Sequence, residues 1–344
     1  MKVLHVLNTS SFSGAENVVC QIISMFDDSN YEMAYCSFDG DIRNALSERN
    51  IKFLPVVRMN ISEIKRIIGV YKPDIIHAHD MKTGFVVACA CGKTPFISHI
   101  HNNAFDSRGL SLKSIAYFFA AAKAKSIIWV SQSSFDGYLF HSVFKKKSTI
   151  LYNVIRQNEL FDRMKQDPND YDYDVVYVGR LTYEKDPFRL LEIIKKASLK
   201  KNDIKVAIVG SGEMETDTRK LCTELGLDNN VTFVGYRNNP LKILKDSGVL
   251  IMSSRWEGTP MVALEAIALG VPIISTPTDG MKDLVVDGVN GYLANDNDIF
   301  AEEIIRIITD SELRKKMSDN QLKRSSEVND VEEYKCKLIE LYNL

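Results

Sequence analysis

The sequence predicts an α/β protein built from two doubly wound parallel sheets, and three observations carry that prediction. Short apolar, β-branched runs recur along the whole chain. Amphipathic helical stretches separate them. A polar, Asp-rich segment at 156–174 interrupts the alternation once, near the middle. Strands that read as continuous hydrophobic runs are buried on both faces, which is the signature of a parallel sheet covered by helices.

The first half offers strands at 3–8 (VLHVLN), 33–38 (MAYCSF), 52–57 (KFLPVV), 75–79 (IIHAH), 96–101 (FISHIH), 126–131 (SIIWVS) and 149–154 (TILYNV). Helical periodicity between them is clearest at 16–26 (ENVVCQIISMF) and 61–71 (ISEIKRIIGVY). The segment RQNELFDRMKQDPNDYDYD (156–174) is polar and carries a proline, so it reads as an interdomain linker. Strands resume at 175–179, 205–210, 231–235, 248–254 and 271–276, and 331–344 (VEEYKCKLIELYNL) reads as a terminal helix. The expected division is therefore 1–160, 161–330 and a final helix over 331–344 that packs back on the first domain. Such sheets bind ligands beyond the carboxyl ends of their strands, so the expected site lies in a cleft between two Rossmann-like sheets.

The 344 residues carry a net charge of −2, with 45% hydrophobic and 26% charged residues, an ordinary globular composition. The charge is uneven. Residues 1–165 hold 20 Lys+Arg against 14 Asp+Glu, whereas the remainder holds 23 against 31. A basic first half suits an anionic partner such as a phosphorylated ligand or a membrane surface, and no feature points to nucleic acid. The six cysteines show no C-x-x-C spacing, no signal peptide precedes the first strand, and no run is apolar enough to span a bilayer. The expected location is cytoplasmic, peripheral on the inner face of the cell membrane.

Two H-x-H pairs, His77/His79 and His99/His101, raise a metal-hydrolase reading, because residues i and i+2 of a strand share a face. A hydrolase of that kind needs further ligands on later strands, and after His101 only His141 remains. A dinucleotide dehydrogenase is disfavoured as well, since GSGEME (210–215) places Glu215 where a third glycine belongs.

The chemistry concentrates at 253–293. Glu257 and Glu265 bracket a turn and a helix start, with Gly258 and Pro260 in the turn and Gly270 stopping the helix. Glu265 falls in an apolar frame of Met261, Val262, Leu264 and Ile267, where an unpartnered carboxylate is costly. Two turns down that helix, it is expected to reach ligand hydroxyls near the helix start. Arg180 and Lys185, between a strand and a helix, sit where cations clamp a diphosphate.

In order and spacing, these segments resemble a family 4 glycosyltransferase of the bacterial surface-polysaccharide type. The residues that carry the resemblance are Gly14-Ala15-Glu16, HAHD (77–80), the strand ending in His101, VSQSS (130–134), LYNV (151–154), VGRL with Lys185, VGSGE (209–213), VTFVG (231–235), the E-x7-E pair, PTDG (277–280) and DGVNGYL (287–293). The resemblance implies the GT-B fold and transfer, with retention and without a metal or other cofactor, of a hexose or N-acetylhexosamine from a nucleotide diphosphate sugar, taken as a UDP-sugar. The acceptor it implies is a saccharide, lipid-diphosphate-linked, in capsule, O-antigen or exopolysaccharide assembly.

By the same resemblance Arg180 and Lys185 neutralise the diphosphate, Glu265 accepts from the ribose and Glu257 from the donor sugar. Gly280 and Met281 offer backbone N–H groups, and Gly14 lets the first loop approach the phosphates. Gly210 and the 258–262 turn (Gly258, Thr259, Pro260, Met261, Val262) line the donor, and Tyr236 and Arg237 hold the base. His101 contacts the reacting sugar, while Asp80 and Asn102 face the acceptor. Two departures stand out: SFSGAEN has a single glycine, and Asp279 occupies a place where glycine is common. A non-catalytic nucleotide-sugar-binding module would use the same residues; the intact Arg180, Lys185 and Glu257 favour catalysis. Lys113, Lys123 and Lys125 in LSLKSIAYFFAAAKAKS (110–126) suit an anionic bilayer.

Overall fold

The computed structural model describes residues 1–27, 30–101 and 107–343. The chain folds as two compact units, Met1–Val154 joined by the stretch from Asp330 onward, and Ile155–Asn329.

The first unit runs β1 (Lys2–Val6), α1 (Gly14–Met25), β2 (Glu32–Cys36), α2 (Ile42–Ser47), α3 (Ile61–Tyr71), β3 (Ile75–His79), α4 (Met81–Ala90), β4 (Phe96–Ile100), α5 (Leu112–Lys123), β5 (Ser126–Trp129), α6 (Gln132–Asp136) and β6 (Ser148–Ile150). Its sheet is parallel throughout, in the order β2-β1-β3-β4-β5-β6. The chain steps from β1 out to β2 and then crosses back to β3, so the order reverses between β1 and β3. Leu4, Val6, Ile76, Ala78 and Ile100 are fully buried against helical residues such as Ile64, Val87 and Tyr117.

The second unit runs α7 (Gln157–Lys165), β7 (Val175–Val178), α8 (Pro187–Lys200), β8 (Val206–Val209), α9 (Glu215–Glu224), β9 (Val231–Gly235), α10 (Leu241–Asp246), β10 (Val249–Met252), α11 (Met261–Leu269), β11 (Ile273–Ser275), α12 (Asp279–Leu284), β12 (Gly291–Leu293), α13 (Asn297–Thr309) and α14 (Ser311–Val328). The sheet order is β12-β11-β10-β7-β8-β9, again all parallel, with the reversal between β7 and β10. α15 (Val331–Asn343) then closes on the first unit. Its buried face is Tyr334, Leu338, Leu341 and Tyr342, and the Tyr342 hydroxyl hydrogen-bonds His77 Nδ1 at 2.9 Å.

Three expectations differ from the structure. The stretch 156–174 is not a free linker. The units divide between Val154 and Ile155, α7 lies inside the stretch with Leu160 buried, and Arg163 donates to the Asn238 carbonyl at 3.1 Å. One buried leucine and side-chain hydrogen bonds seat this polar helix. Residues 52–57 form only isolated bridges, Tyr35 with Phe53 and Phe38 with Val56; Pro55 has no N–H for a continuous ladder. β12 is a three-residue edge strand, too short to show as a hydrophobic run.

Candidate active site

In the second unit, parallel strands deliver five loops to one sheet edge. The reversal between β7 and β10 is where an open parallel sheet leaves a crevice for ligand. There Lys185, after β7, donates from Nζ to Glu257 Oε1, after β10, at 2.5 Å, and Ser254 Oγ donates to the same oxygen at 2.5 Å. The side chains of Lys185 and Glu257 are 18% and 8% exposed, so the charges compensate in a largely dry place. Lys185 is therefore a paired cation, held in place by the glutamate across the crevice.

The two loops are bound together along their backbones. Ser253 Oγ donates to the Lys185 and Asp186 carbonyls at 2.9 and 3.1 Å, the Arg255 N–H donates to the Glu184 carbonyl at 2.8 Å, and the Arg255 guanidinium pairs with Asp186 at 2.9 Å. Asp186 also caps α8 from a left-handed conformation, φ 51°, with Pro187 opening the helix. Arg180 lies at the mouth, 59% exposed, and pairs with Glu184 at 2.8 Å.

The glycines explain how closely these loops pass. A Cβ on Gly280 would lie 1.3 Å from the Gly258 carbonyl oxygen, and one on Gly210, at φ 139°, would lie 1.9 Å from the Gly179 carbonyl oxygen. Both are demanded by the protein's own backbone. Gly14, in the first unit, differs: a Cβ there meets nothing within 4 Å, so no packing accounts for its missing side chain.

α11 starts at Met261 behind Pro260, with no side-chain cap and no acidic residue in its first turn. The first N–H groups of a helix have no intrahelical acceptor, and the dipole there favours an anion. Glu265 stands one turn down rather than two, buried among Leu264, Ala266 and Ile267. Gly258, Thr259 and Pro260 are buried beside it, and Val262 is partly exposed. The Met281 N–H is taken by the Thr278 carbonyl at 3.0 Å, which removes it from the donors expected for a ligand. Asp279 turns outward to Lys282 at 3.6 Å. Tyr236 and Arg237 are exposed just beyond β9 at the same sheet edge.

The first unit gathers five of the six histidines on one sheet face. Register sets His5 beside His77 and His79 beside His99. Ring nitrogens pair as His5 Nδ1 with His79 Nε2 (3.1 Å), His79 Nδ1 with His101 Nε2 (2.8 Å) and His77 Nε2 with His99 Nδ1 (3.2 Å). Burial holds all five neutral. The pKa values of His5 and His101 are lowered to about 3 by burial, and those of His77, His79 and His99 are held well below the ordinary value by burial together with neighbouring imidazoles. His79, His99 and His101 lie close enough to hold a metal ion between them, as do His5, His77 and His79. At the end of β3, Asp80 holds φ 71° and ψ 160°, a region nearly restricted to glycine, where strain concentrates at functional positions. Asn102 lies outside the described residues.

Sequence reasoning did not single out Ser254, Asp186, Arg255, His5 or Tyr342. Each acts across 60 or more residues of chain or through strand register, except Ser254, whose only local signal is its place three residues before Glu257.

Two family models match in tandem: Glycosyltransferase Family 4 over residues 12–158 and Glycosyl transferases group 1 over 158–324. The chain is 27% identical, over 93% of its length and 91% of the relative's, to the UDP-Gal:alpha-D-GlcNAc-diphosphoundecaprenol alpha-1,3-galactosyltransferase of Escherichia coli. It is 25% identical, over 74% and 71%, to the capsular polysaccharide biosynthesis glycosyltransferase CapM of Staphylococcus aureus. The structure of Anabaena Alr3699/HepE in complex with UDP-glucose superposes with a TM-score of 0.86 across 100% of both chains at 21% identity.

Proposed function

The chain belongs to the family 4 glycosyltransferases, with the two Rossmann-like units of the GT-B fold, and on that premise we propose that it transfers a hexose or N-acetylhexosamine from a UDP-sugar to a lipid-diphosphate-linked saccharide in bacterial polysaccharide assembly. In this reading transfer retains the anomeric configuration and needs no metal. The observation that carries the proposal is the Lys185–Glu257 pair at the β7/β10 reversal, beside the uncapped start of α11.

A diphosphate entering that crevice meets Arg180, whose exposed guanidinium exchanges Glu184 for phosphate at little cost, because exposed pairs are worth about 0–1 kcal/mol. Lys185 adds a second positive charge, and Glu257 keeps its ammonium in place. As the sugar C1–O bond to the diphosphate breaks, these cations stabilise charge on the departing nucleotide. The acceptor hydroxyl bonds C1 on the same face and gives its proton to a leaving phosphate oxygen. Glu257 accepts from a donor-sugar hydroxyl and Glu265 from the ribose, while Tyr236 and Arg237 meet the base. His101 contacts the reacting sugar, and Asp80 the acceptor.

The lipid-linked acceptor is named for the Escherichia coli relative. Peripheral membrane docking has its own support: Leu112, Ile115 and Phe119 form an exposed apolar stripe on α5, 88%, 40% and 63% exposed, preceded by Leu110 at 78%. Lys113 accompanies the stripe, as on helices that lie in an anionic interface. Among the described residues no helix is long and apolar enough to cross a membrane.

A thermal-shift screen with UDP, GDP, ADP and their sugars, with and without EDTA, tests the reading. A UDP-selective shift that survives EDTA supports it; stabilisation only by added Zn²⁺ contradicts it.

A further inference from the structure

Three buried imidazole nitrogens, His5 Nε2, His99 Nε2 and His101 Nδ1, have no hydrogen-bond partner among the described residues. A buried polar atom left unpaired is costly, so three in one cluster call for an explanation. We propose that the hydrogen-bonded chain His5–His79–His101 fixes the tautomer of His101, with His79 as the positioning residue, so that His101 meets its ligand only through an Nδ1–H donor. The proposal rests on the reading of His101 as a contact to a sugar hydroxyl.

Counting protons gives the direction. A neutral imidazole carries one N–H and one bare nitrogen. Three neutral rings joined by two bonds, 3.1 Å between His5 and His79 and 2.8 Å between His79 and His101, have two consistent arrangements. In one, each ring donates from Nδ1 toward the next, leaving His5 Nε2 bare and His101 with an Nδ1–H. In the other, every proton sits on Nε2, which strands an N–H on His5 in the interior and leaves His101 Nδ1 bare. Each arrangement leaves one N–H without a protein partner, on His101 in the first and on His5 in the second. His5 is fully buried whereas His101, just past β4, is only partly buried, so only an N–H on His101 can gain a partner from a ligand. The first arrangement is therefore favoured. It points the one unspent donor of the chain from His101, where a hydroxyl oxygen supplies the missing partner. His79 has both nitrogens committed, and no other side chain bonds His101 Nε2 among the described residues.

A metal at His79, His99 and His101 fits less well. Metal-bound imidazoles pass their other N–H to a carboxylate, carbonyl or water. Here the remaining nitrogens of His79 and His99 bond His5 and His77, that of His101 has no protein partner, and no carboxylate accepts from any of them among the described residues. A divalent charge in that buried place would go uncompensated.

Long-range ¹H–¹⁵N correlation spectra of histidine-labelled protein test the chain directly, and six histidines keep them assignable. The expected result is an Nδ1–H tautomer for His5, His79 and His101. In UDP-sugar turnover, His79→Phe is expected to lower kcat about tenfold, the loss of one oriented hydrogen bond, with KM for the donor unchanged, and His79→Gln to restore most of it. An Nε2–H tautomer at His101 overturns the proposal. So does His79→Phe that lowers stability while kcat holds, or one equivalent of Zn²⁺ that binds and removes the imidazole-to-imidazole couplings. The spectra need no substrate, so a failure of the UDP-sugar reading leaves the tautomer result standing by itself.

Discussion

Lys185 Nζ lies 2.5 Å from Glu257 Oε1, joining the loops that follow β7 and β10 at the point where strand order reverses. Truncating one member of a largely buried pair strands the other charge, at a cost of about 3–5 kcal/mol. Lys185→Ala is therefore expected to lower the urea midpoint sharply. Lys185→Met combined with Glu257→Leu should recover much of that stability and none of the activity. A double variant no more stable than the single one would show that the pair is not what holds the loops.

The two glutamates are expected to separate by ligand. Glu265→Ala should weaken UDP binding in calorimetric titration. Glu257→Ala should spare free UDP and raise the Kd for the UDP-sugar. Equal losses for both ligands in both variants would contradict the roles given to them.

Glycines at 14 and 280 are expected to behave oppositely. Gly280→Ala places a Cβ 1.3 Å from the Gly258 carbonyl oxygen, so the α12 start must move and stability should fall. Gly14→Ala meets nothing within 4 Å and lies at the first position of α1. It should leave stability unchanged or raise it by about 0.4–1 kcal/mol. Any loss of turnover in Gly14→Ala would then come from the ligand side.

The histidine cluster sets a pH dependence. Its folded pKa values lie below the ordinary 6.5, so the unfolded chain binds more protons and stability is complete above pH 6.5. Below that it falls, by about 1.4 kcal/mol per pH unit for each buried histidine, until the folded pKa is reached. With five such groups in one cluster, the urea midpoint of the first unit is expected to fall steeply as pH drops below 6.5. A urea midpoint that stays flat from pH 7 to 5 would contradict the buried, neutral cluster.

Much of this was legible in the sequence because it is written locally. Period and burial gave the alternation of strands and helices. Glu265 announced its burial through Met261, Leu264 and Ile267, and the H-x-H pairs announced a shared face. Pairings set by register were not legible. Nothing near His5 says that it will lie beside His77, and nothing near Lys185 says that its charge goes to Glu257, 72 residues on. Leu160, with the Arg163–Asn238 bond, seats α7 in a stretch whose composition reads as linker. Pro55 shows the reverse: the residue that breaks the ladder is visible within 52–57, but the run around it is hydrophobic enough to look like a strand.

Product stereochemistry bears most directly on metal-free, retaining transfer at the Lys185–Glu257 crevice. The protein would be incubated in EDTA with a UDP-α-sugar and a GlcNAc-diphosphate-lipid acceptor, and the anomeric proton coupling of the new linkage read by ¹H NMR. The expected product is the α-glycoside, formed at full rate in EDTA by the native chain and lost in Glu257→Ala. A β-linked product, or turnover that stops in EDTA and returns only with added divalent metal, would contradict it.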